Sequence, residues 1–461
     1  MKRRLIYGNS TTYDSLITPS STCITPGEVG EISNDLDALW KFYKKLTELY
    51  LKSIQQNAPS WIKEFTEHGM LKEEIEAHRL VCFAGLEPVA CRIDYVSLGS
   101  ERKIAEVQWK SGGPGLFFGI QDAYMEAIPF QSNMKPLGDA VDNFYELILK
   151  TTHNNGPNVV NAVRDVWLNG ENFLKKKYDQ RGMHYFPLNR NEIAKNIIKE
   201  RNNFFVSDQR GILRKISFLN GQGFTRFFPK ENLLLLARAT TEERLWIETP
   251  LNYLYRQKWC LALPFMNGFK DLFEKQLKDI IIPTALIEYD HIDLSPIVPY
   301  INHESKEKLL SIKQLENLAE LPSSLRDCLI FKCAAGTGEY YSDGKGVFRI
   351  SGSHKFAKKI LDFIQERVII AKEPWIVQVY IDKKCQIPAS LPSCLESQQI
   401  IDAHARFMIY GGMLKEKKAV VIGGLGNFGK HWKVSGKSPY KDEHGNLLGT
   451  AFNDIRICCA Q

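Results

Sequence analysis

The sequence predicts a multi-lobed fold that combines α/β and α+β parts. Its 461 residues are enough for roughly two to four domains of ordinary size. After residue 155, short apolar runs alternate with helical patterns, which is typical of a parallel, doubly wound sheet. From about residue 288, strand patterns dominate around one amphipathic helix, which indicates an α+β lobe. We therefore expect three regions, at 1–155, 156–287 and 288–461.

The N-terminal region begins with a helical pattern and continues with two strands. Apolar residues recur at helical spacing over 34–76, and Ser33–Asp35 offer an N-cap. Residues 90–96 and 103–109 alternate as strands, and the polar residues 99–102 between them indicate a hairpin turn. A glycine-rich stretch, Gly112-Gly-Pro-Gly115, follows directly.

The central and C-terminal elements follow from the same patterns. In the central region we predict strands at 158–163 and 183–188, a helix at 171–181, continuation of the alternation at 212–218 and 233–237, and a helix holding Arg256–Trp259. In the last region we predict strands at 328–333, 347–350, 375–381, 403–410 and 419–422, and a helix at about 354–367.

Composition and charge narrow the function classes. The content of hydrophobic residues (44%) and charged residues (25%) is ordinary for a globular protein, and the net charge of +7 is mild. Lysine and arginine form no single stripe and no nucleic-acid motif is present. No run of about 18 apolar residues occurs, and no apolar core follows the basic N-terminus. We expect a cytoplasmic protein with small-molecule partners and neither a nucleic-acid nor a membrane partner. Oligomeric state is not indicated.

The ten cysteines and ten histidines carry no recognisable signature. No cysteine pair has C-x-x-C spacing, and the one close pair is Cys458–Cys459. That pattern predicts neither a metal finger nor a disulfide framework. No nucleophile elbow or protease signature accompanies them, which disfavours hydrolase chemistry.

Two segments have residue types suited to a nucleotide and a metal. Lys332 ends a strand and is followed by a loop with Gly336 and Gly338, where backbone N–H groups could approach phosphate oxygens. A plain hairpin loop is the alternative. Asp94, Glu106 and the amide of Gln108 would share one face of the N-terminal hairpin. Such hard oxygen ligands suit Mg²⁺. Ordinary polar residues on an exposed hairpin are the alternative there.

Two further segments lie near the C-terminus. Asp402, His404 and Arg406 alternate on one strand face, and arginine suits a phosphoryl or acyl-phosphate group. For His404 by itself we expect a structural role. Residues 423–438 are glycine-rich and basic, which fits either a loop over an anion or a structural turn.

The order of these segments resembles the circularly permuted ATP-grasp enzymes, which include the glutathionylspermidine synthase-like carboxylate–amine ligases. That group has an early R-x-D strand and E-x-N strand, a Rossmann-like domain and a P-L-x₆-K helix. A strand lysine before a glycine-rich loop, a D/L-x-R-x-F strand and a G-G-L loop follow. The matching residues here are Arg92, Asp94, Glu106, Gln108, Gly112–Gly115, Pro250, Leu251, Lys258, Ile282–Ala285, Lys332, Gly336, Gly338, Gln378, Arg406, Phe407 and Gly423–Leu425. They span most of 88–436.

The resemblance implies an ATP- and Mg²⁺-dependent carboxylate–amine ligase that works through an acyl phosphate. It further implies that Lys258 and Lys332 hold ATP phosphates, that the 336–346 loop folds over them, and that Gln378 contacts adenine. Mg²⁺ would be held by Asp94, Glu106 and Gln108, and charge on the reacting groups would be neutralised by Arg92 and Arg406.

The sequence also departs from the family pattern. Gln108 stands where the family has asparagine, which lengthens the arm by one methylene and puts a two-metal site in doubt. The histidine at 404 is not part of the pattern either. Two other functions therefore stay open. One is a nucleotide-binding regulator or scaffold without ligase activity, and the other is a phosphotransferase on the same fold.

Overall fold

The protein is described from a computed structural model. The described residues are 21–109, 114–127, 134–153, 156–208, 210–221, 225, 227–248, 251–288, 291–336, 346–391, 394–413, 419–429, 440–441, 447–448 and 451–458. Gly112, Gly113, Pro250 and Gly338 of the predicted motifs lie outside them, as do 337–345 and 430–438. In these ranges the fold is mixed α/β, with several sheets and helices.

The predicted N-terminal helical region consists of three helices. They are α1 (Pro26–Ile54), α2 (Ser60–Glu67) and α3 (Lys72–Phe83). Helix α1 starts earlier than predicted because Thr25, and not Ser33–Asp35, is its N-cap. The Thr25 side chain accepts the Glu28 N–H and the Glu28 carboxylate accepts the Thr25 N–H, a capping box with proline at the first helical position.

The largest sheet joins strands from both ends of the chain. Its members are β1 (Thr22–Ile24), β2 (Ala90–Ser97), β3 (Lys103–Gln108), β4 (Met134–Pro136), β17 (Lys384–Leu391), β18 (Cys394–Met413), β19 (Ala419–Gly429) and β22 (Ala451–Cys458). The main order is β1-β22-β19-β18-β2-β3, with β17 beside β18 and β4 beside β22. The predicted hairpin of β2 and β3 is confirmed. Division of the chain into three domains stays a prediction.

Helices cover both faces of this sheet. On one face, α1 packs against Ile93 and Tyr95 in a shared core. On the other face Met408 and Tyr410 pack with α4 (Pro114–Ala127) and α5 (Ala140–Thr152). Because neighbours in a strand point to opposite faces, Arg92 and Asp94 lie on the α4 side of the sheet.

A second sheet confirms the predicted parallel α/β region. Its four strands, β5 (Asn158–Val163), β6 (His184–Asn189), β10 (Phe218–Gly221) and β11 (Trp246–Ile247), run parallel in the order β11-β10-β5-β6. Helix α6 (Leu168–Asp179) packs on one face, and α3 and α8 (Leu233–Thr241) pack on the other.

The segment 212–218, predicted to continue the alternation, does not form a single element. Residues Leu213–Lys215 form β9, which joins β7 (Ile197–Glu200) and β8 (Asn203–Ser207) in a small antiparallel sheet after α7 (Ile193–Asn196). The chain then enters the parallel sheet at Phe218. Two sheets therefore share one apolar run.

The third main sheet has five strands. They are β12 (Thr284–Glu288), β13 (His291–Ile292), β14 (Leu329–Cys333), β15 (Val347–Arg349) and β16 (Trp375–Val379), in the order β13-β12-β16-β14-β15. The predicted helix is present as α11 (His354–Ile369), and it covers the face that holds Phe331 and Val377. The remaining elements are α9 (Lys275–Ile280), α10 (Ser323–Arg326), β20 (Tyr440–Lys441) and β21 (Leu447–Leu448).

Both predictions for the glycine-rich segment after 422 are wrong where it is described, because residues 423–429 continue strand β19. The glycines allow close packing on this strand. A Cβ on Gly423 would lie 2.5 Å from Gln121 Oε1 and 2.8 Å from the Ala140 Cβ. A Cβ on Gly424 would lie 2.8 Å from Leu137. The absent side chain at Gly423 therefore lets α4 and α5 approach one face of the sheet, and that at Gly424 makes room for Leu137 on the other.

Two observations concern cysteines and membranes. Cys23 of β1 and Cys458 of β22 form a disulfide between neighbouring strands, a pairing that the cysteine spacing did not predict. Within the described ranges, every helix is too short or too polar to cross a bilayer.

Candidate functional site

The β2–β3 hairpin carries four of the predicted site residues on one face. In the antiparallel pairing Asp94 lies opposite Glu106, and Arg92 lies opposite Gln108. Directly opposed residues in such a pair point to the same side of the sheet. The hairpin register therefore places two carboxylates, a guanidinium and an amide together, as the sequence predicted.

Strand β18 brings Arg406 to the same group, although it lies more than 300 positions later in the chain. Met408 pairs with Asp94, and Arg406 lies two positions before Met408 on β18, on the same face. Its Nη1 lies 3.7 Å from Asp94 Oδ2. Long-range strand pairing, which local patterns cannot reveal, creates this contact.

Arg92 and Asp94 form a buried bidentate ion pair. Arg92 Nε donates to Asp94 Oδ1 at 2.6 Å and Arg92 Nη2 donates to Oδ2 at 2.9 Å. Their side chains are only 7% and 2% exposed. Burial opposes the charged guanidinium, but the Asp94 charge outweighs burial and raises the pKa of Arg92. The bidentate geometry fixes the Arg92 guanidinium against the Asp94 carboxylate.

The five-stranded sheet contributes Lys332 where it meets the β2–β3 hairpin, a meeting place that we call the cleft. Lys332 on β14 points away from the α11 core, and its Nζ donates to the Ala105 carbonyl of β3 at 3.3 Å. Burial and the like charge of Lys258 lower the pKa of Lys332 to about 8, with Glu106 and Asp94 acting against them. Lys332 therefore reaches the carboxylate hairpin itself.

Gln378 lies on the same face of this sheet as Lys332. It pairs with Ile330 of β14 and Thr284 of β12. Its Nε2 donates to Thr284 Oγ1 at 2.8 Å, while its buried Oε1 has no hydrogen-bond partner among the described residues. An unused acceptor at this position could receive a ligand N–H group.

Lys258 completes the cluster, but it is not on the predicted helix. It stands between two 3₁₀ segments, Tyr253–Arg256 and Trp259–Phe265. Its backbone N–H donates to the Ala334 carbonyl at 3.0 Å, which ties this segment to the end of β14. Its Nζ lies 3.3 Å from Glu106 Oε1.

Glu106 is the centre of the electrostatic cluster. Burial would raise its pKa, but the charges of Lys258, Lys332 and Arg92 lower it to about 2. Glu106 therefore stays ionised, held by cations from three separate parts of the chain.

The six charged groups do not balance each other. Among the described residues, four cations lie with two carboxylates in this largely enclosed place, which leaves an excess of about two positive charges there. Burial also lowers the pKa of Arg406. An excess of buried charge is costly unless a counter-charge is present. The cleft is therefore suited to a multiply charged anion.

Gln257 is a site residue that the sequence did not indicate. Its Oε1 accepts the Gly336 N–H at 2.8 Å, and its Nε2 donates to the Thr66 carbonyl at 3.0 Å. A Cβ on Gly336 would lie 2.7 Å from Gln257 Nε2. The first glycine of the predicted loop is thus anchored. In the sequence, the one hint of this role for Gln257 is its position directly before Lys258.

The oxygen-bearing side chains of the hairpin are suited to a metal ion whose remaining ligands are phosphate oxygens of a substrate. Among the described residues, no group of three or more His, Cys, Asp or Glu side chains could hold a metal unaided. Asp94 and Glu106 are nevertheless opposed on one face, with Gln108 next along β3. Mg²⁺ is commonly bound through one or two carboxylates plus substrate phosphates. The residues fit that shared kind of site.

His404 and Asp402 lie outside the charged cluster. His404 is buried, and its Nδ1 lies 3.5 Å from Asp382 Oδ1. Asp402 is exposed. This geometry agrees with the expected structural role for His404.

Comparisons with known proteins add little. No protein-family model matches the chain, and no curated protein matches it significantly. One solved structure with a similar outline is a protein from Methylobacillus flagellatus KT that is provisionally named gamma-glutamylcysteine synthetase. The identity is 11%, over 93% of this chain and 89% of that one, and the TM-score is 0.41. That likeness is too low to support a conclusion about function.

Proposed function

We propose that the cleft binds MgATP and that the protein is an ATP-dependent carboxylate–amine ligase of the circularly permuted ATP-grasp type. The observation that carries this proposal is the meeting of the carboxylate hairpin with two lysines from distant segments. Lys258 contacts Glu106 directly, and Lys332 contacts the backbone of the neighbouring Ala105. The resemblance in motif order predicts this contact, because it assigns the lysines to ATP phosphates and the carboxylates to Mg²⁺.

The triphosphate would lie against the positive side of the cleft. Lys258 and Lys332 would bind its oxygens, exchanging their present contacts for stronger charge-assisted ones. The backbone at Gly336 would lie beside the phosphates. The resemblance assigns the same role to Gly338, which lies outside the described residues. Gln378, with its unused Oε1, would receive an N–H group of adenine.

A magnesium ion would be held by Asp94 and Glu106, with Gln108 as a third ligand, and would supply charge neutralisation at the phosphates when bound. Both carboxylates now contact cations. When a phosphate anion takes over those cations, the carboxylates become available as ligands. This exchange explains why the carboxylates and cations are interleaved.

The proposed reaction has two steps. A substrate carboxylate oxygen attacks the γ-phosphorus, the bond to the ADP oxygen breaks, and an acyl phosphate forms. An amine nitrogen then attacks the acyl carbon, the bond to phosphate breaks, and the amine loses a proton to leave an amide. Arg92 and Arg406 lie where they can neutralise charge on these groups. Such preorganised charge is the main catalytic device available.

Phosphate release from ATP tests this proposal. Release should require both a carboxylate and an amine, and Lys332→Ala and Glu106→Ala should each abolish it. Lys355→Ala, at an exposed position of α11, is the matched control. Unchanged turnover in both site variants would refute the assignment.

The same assay separates the two alternatives. A phosphorylated product formed without any amine would identify a phosphotransferase. Nucleotide binding without turnover under all substrate conditions would identify a regulator or scaffold. The Gln108 side chain in place of asparagine is the feature that favours this second outcome.

A further inference from the structure

Strand β19 places a buried asparagine beside Arg406. Asn427 lies directly opposite Arg406 in the β18–β19 pairing, so the two side chains share the face that carries Asp94. Opposed residues in such a pair have Cβ atoms about 5 Å apart. Asn427 is therefore an immediate neighbour of the charged cluster, contributed by a strand that no site motif had included.

The amide of Asn427 lacks hydrogen-bond partners within the described part of the chain. The residue is 1% exposed, and neither its Nδ2 nor its Oδ1 has a partner there. Arg406 Nε is also buried without a partner in the same part of the chain. The large majority of buried side-chain polar atoms are paired in native proteins. Two neighbouring exceptions on one face call for a shared explanation.

A purely structural explanation fits this strand poorly. The next residue on the same face, two positions earlier, is the buried Leu425. An apolar side chain at 427 would continue that packing without an unpaired amide. Without a partner among the described residues, the buried amide is costly, and a ligand that uses its N–H groups would remove that cost.

We propose that Arg406 and Asn427 form an oxyanion subsite, in which Arg406 Nε and Asn427 Nδ2 donate to oxygens of one anionic group. A guanidinium beside an amide N–H is suited to a carboxylate or a phosphoryl group. The identity of this anion rests on the proposed function. In that function it is either the γ-phosphoryl group of ATP or the substrate carboxylate. Asn427 is then a substrate-binding residue of this cleft.

Two substitutions distinguish a binding role from a structural one. Asn427→Leu keeps the branching and number of the side-chain heavy atoms and removes both hydrogen-bonding groups. Asn427→Asp keeps the shape and adds a negative charge beside Arg406. If Asn427 serves a ligand, both variants raise the midpoint of thermal unfolding of the ligand-free protein. If it is hydrogen-bonded within the fold, Asn427→Leu lowers that midpoint, and the proposal fails.

Binding measurements complete the test and identify the anion. The phosphoryl arm compares inorganic phosphate, MgAMP-PNP and MgADP by calorimetry. The carboxylate arm measures the rise in the midpoint of thermal unfolding of the MgADP complex when a pool of the standard amino acids and small mono- and dicarboxylic acids is added. We expect Asn427→Leu to weaken one arm ~10- to 100-fold, as for loss of a hydrogen bond to a charged group, and Asn427→Asp to weaken it further. Wild-type affinity of Asn427→Leu in both arms would overturn the proposal.

Controls separate this inference from the proposed function. Trp246→Phe removes a buried indole N–H that has no partner among the described residues, from the parallel sheet. It should leave both binding arms unchanged. Failure of the wild-type protein to bind MgAMP-PNP would defeat the proposed function. The inorganic phosphate and thermal unfolding results would still decide the subsite.

Discussion

Glu171 gives a stability prediction whose size follows from the structure. It is fully buried at the contact between α6 and the start of α4. Its Oε1 accepts the Gly115 N–H at 3.0 Å, and its Oε2 accepts from Asn161 Nδ2 at 2.5 Å and the Tyr185 hydroxyl at 2.8 Å. Burial outweighs these bonds and raises the pKa of Glu171 to about 7 from an ordinary value of 4.5.

The sign of the effect follows from linkage. Below pH 4.5 both states are protonated and the folded state keeps its full relative stability. Between pH 4.5 and 7 the unfolded state loses its proton while Glu171 in the folded state keeps it, so stability falls as pH rises. A pKa difference of about 2.5 at 1.36 kcal/mol each corresponds to about 3 kcal/mol, lost in full above pH 7.

The substitution Glu171→Gln should remove this pH dependence. The new amide can donate to Asn161 Oδ1, which has no partner among the described residues. We would measure the free energy of unfolding in urea at several values between pH 5 and 8. Relative to Glu171→Gln, the wild type should lose about 2.5 kcal/mol across that range, because part of the full loss has already occurred by pH 5. The exposed Glu316→Gln is the control. Parallel curves for wild type and Glu171→Gln would refute the reasoning.

Two further predictions concern close backbone contacts. A Cβ on Gly115 would lie 2.4 Å from the backbone of Gly170, so Gly115→Ala should cost about 1–3 kcal/mol in unfolding free energy. Gly30→Ala, in α1 with nothing within 4 Å, should instead stabilise by up to about 1 kcal/mol. Equal changes in melting temperature for Gly115→Ala and Gly30→Ala would contradict both expectations. Gln257→Leu leaves the Gly336 N–H without its acceptor and should cost about 1–3 kcal/mol, with faster hydrogen exchange at Gly336. Gln257→Glu, which keeps the acceptor, should restore the slow exchange, and no change in Gln257→Leu would argue against the anchor.

Local patterns in the sequence were enough to place most elements. Alternation over 90–96 and 103–109 gave the hairpin, and the strand–helix alternation after 158 gave the parallel sheet. These predictions succeed because side-chain period and burial are local properties. The segment 212–218 contributes to two different sheets. Periodicity does not show where one strand ends and the next begins, so the division could not be predicted.

The site was predictable only in part. Lys332 and Glu106 could be selected as residue types suited to phosphate and metal, but their proximity depends on how distant segments pack. Asn427 and Gln257 gave no signal, because neither a buried orphan amide nor a glycine anchor has a sequence pattern. The prediction of a loop or turn at Gly423 and Gly424 is wrong for a related reason. Close packing and a flexible loop both require glycine, and the sequence alone does not separate them.

Calorimetric binding of AMP-PNP, with and without Mg²⁺, tests the central claim most directly. If Lys332 and Glu106 act on one triphosphate, Lys332→Met should weaken binding ~10-fold or more, by the loss of a charge-assisted contact. Glu106→Gln should abolish the gain in affinity that Mg²⁺ gives to the wild type, and Lys355→Met should bind as the wild type does. Wild-type affinity and wild-type Mg²⁺ dependence in both site variants would show that the cleft is not a nucleotide site.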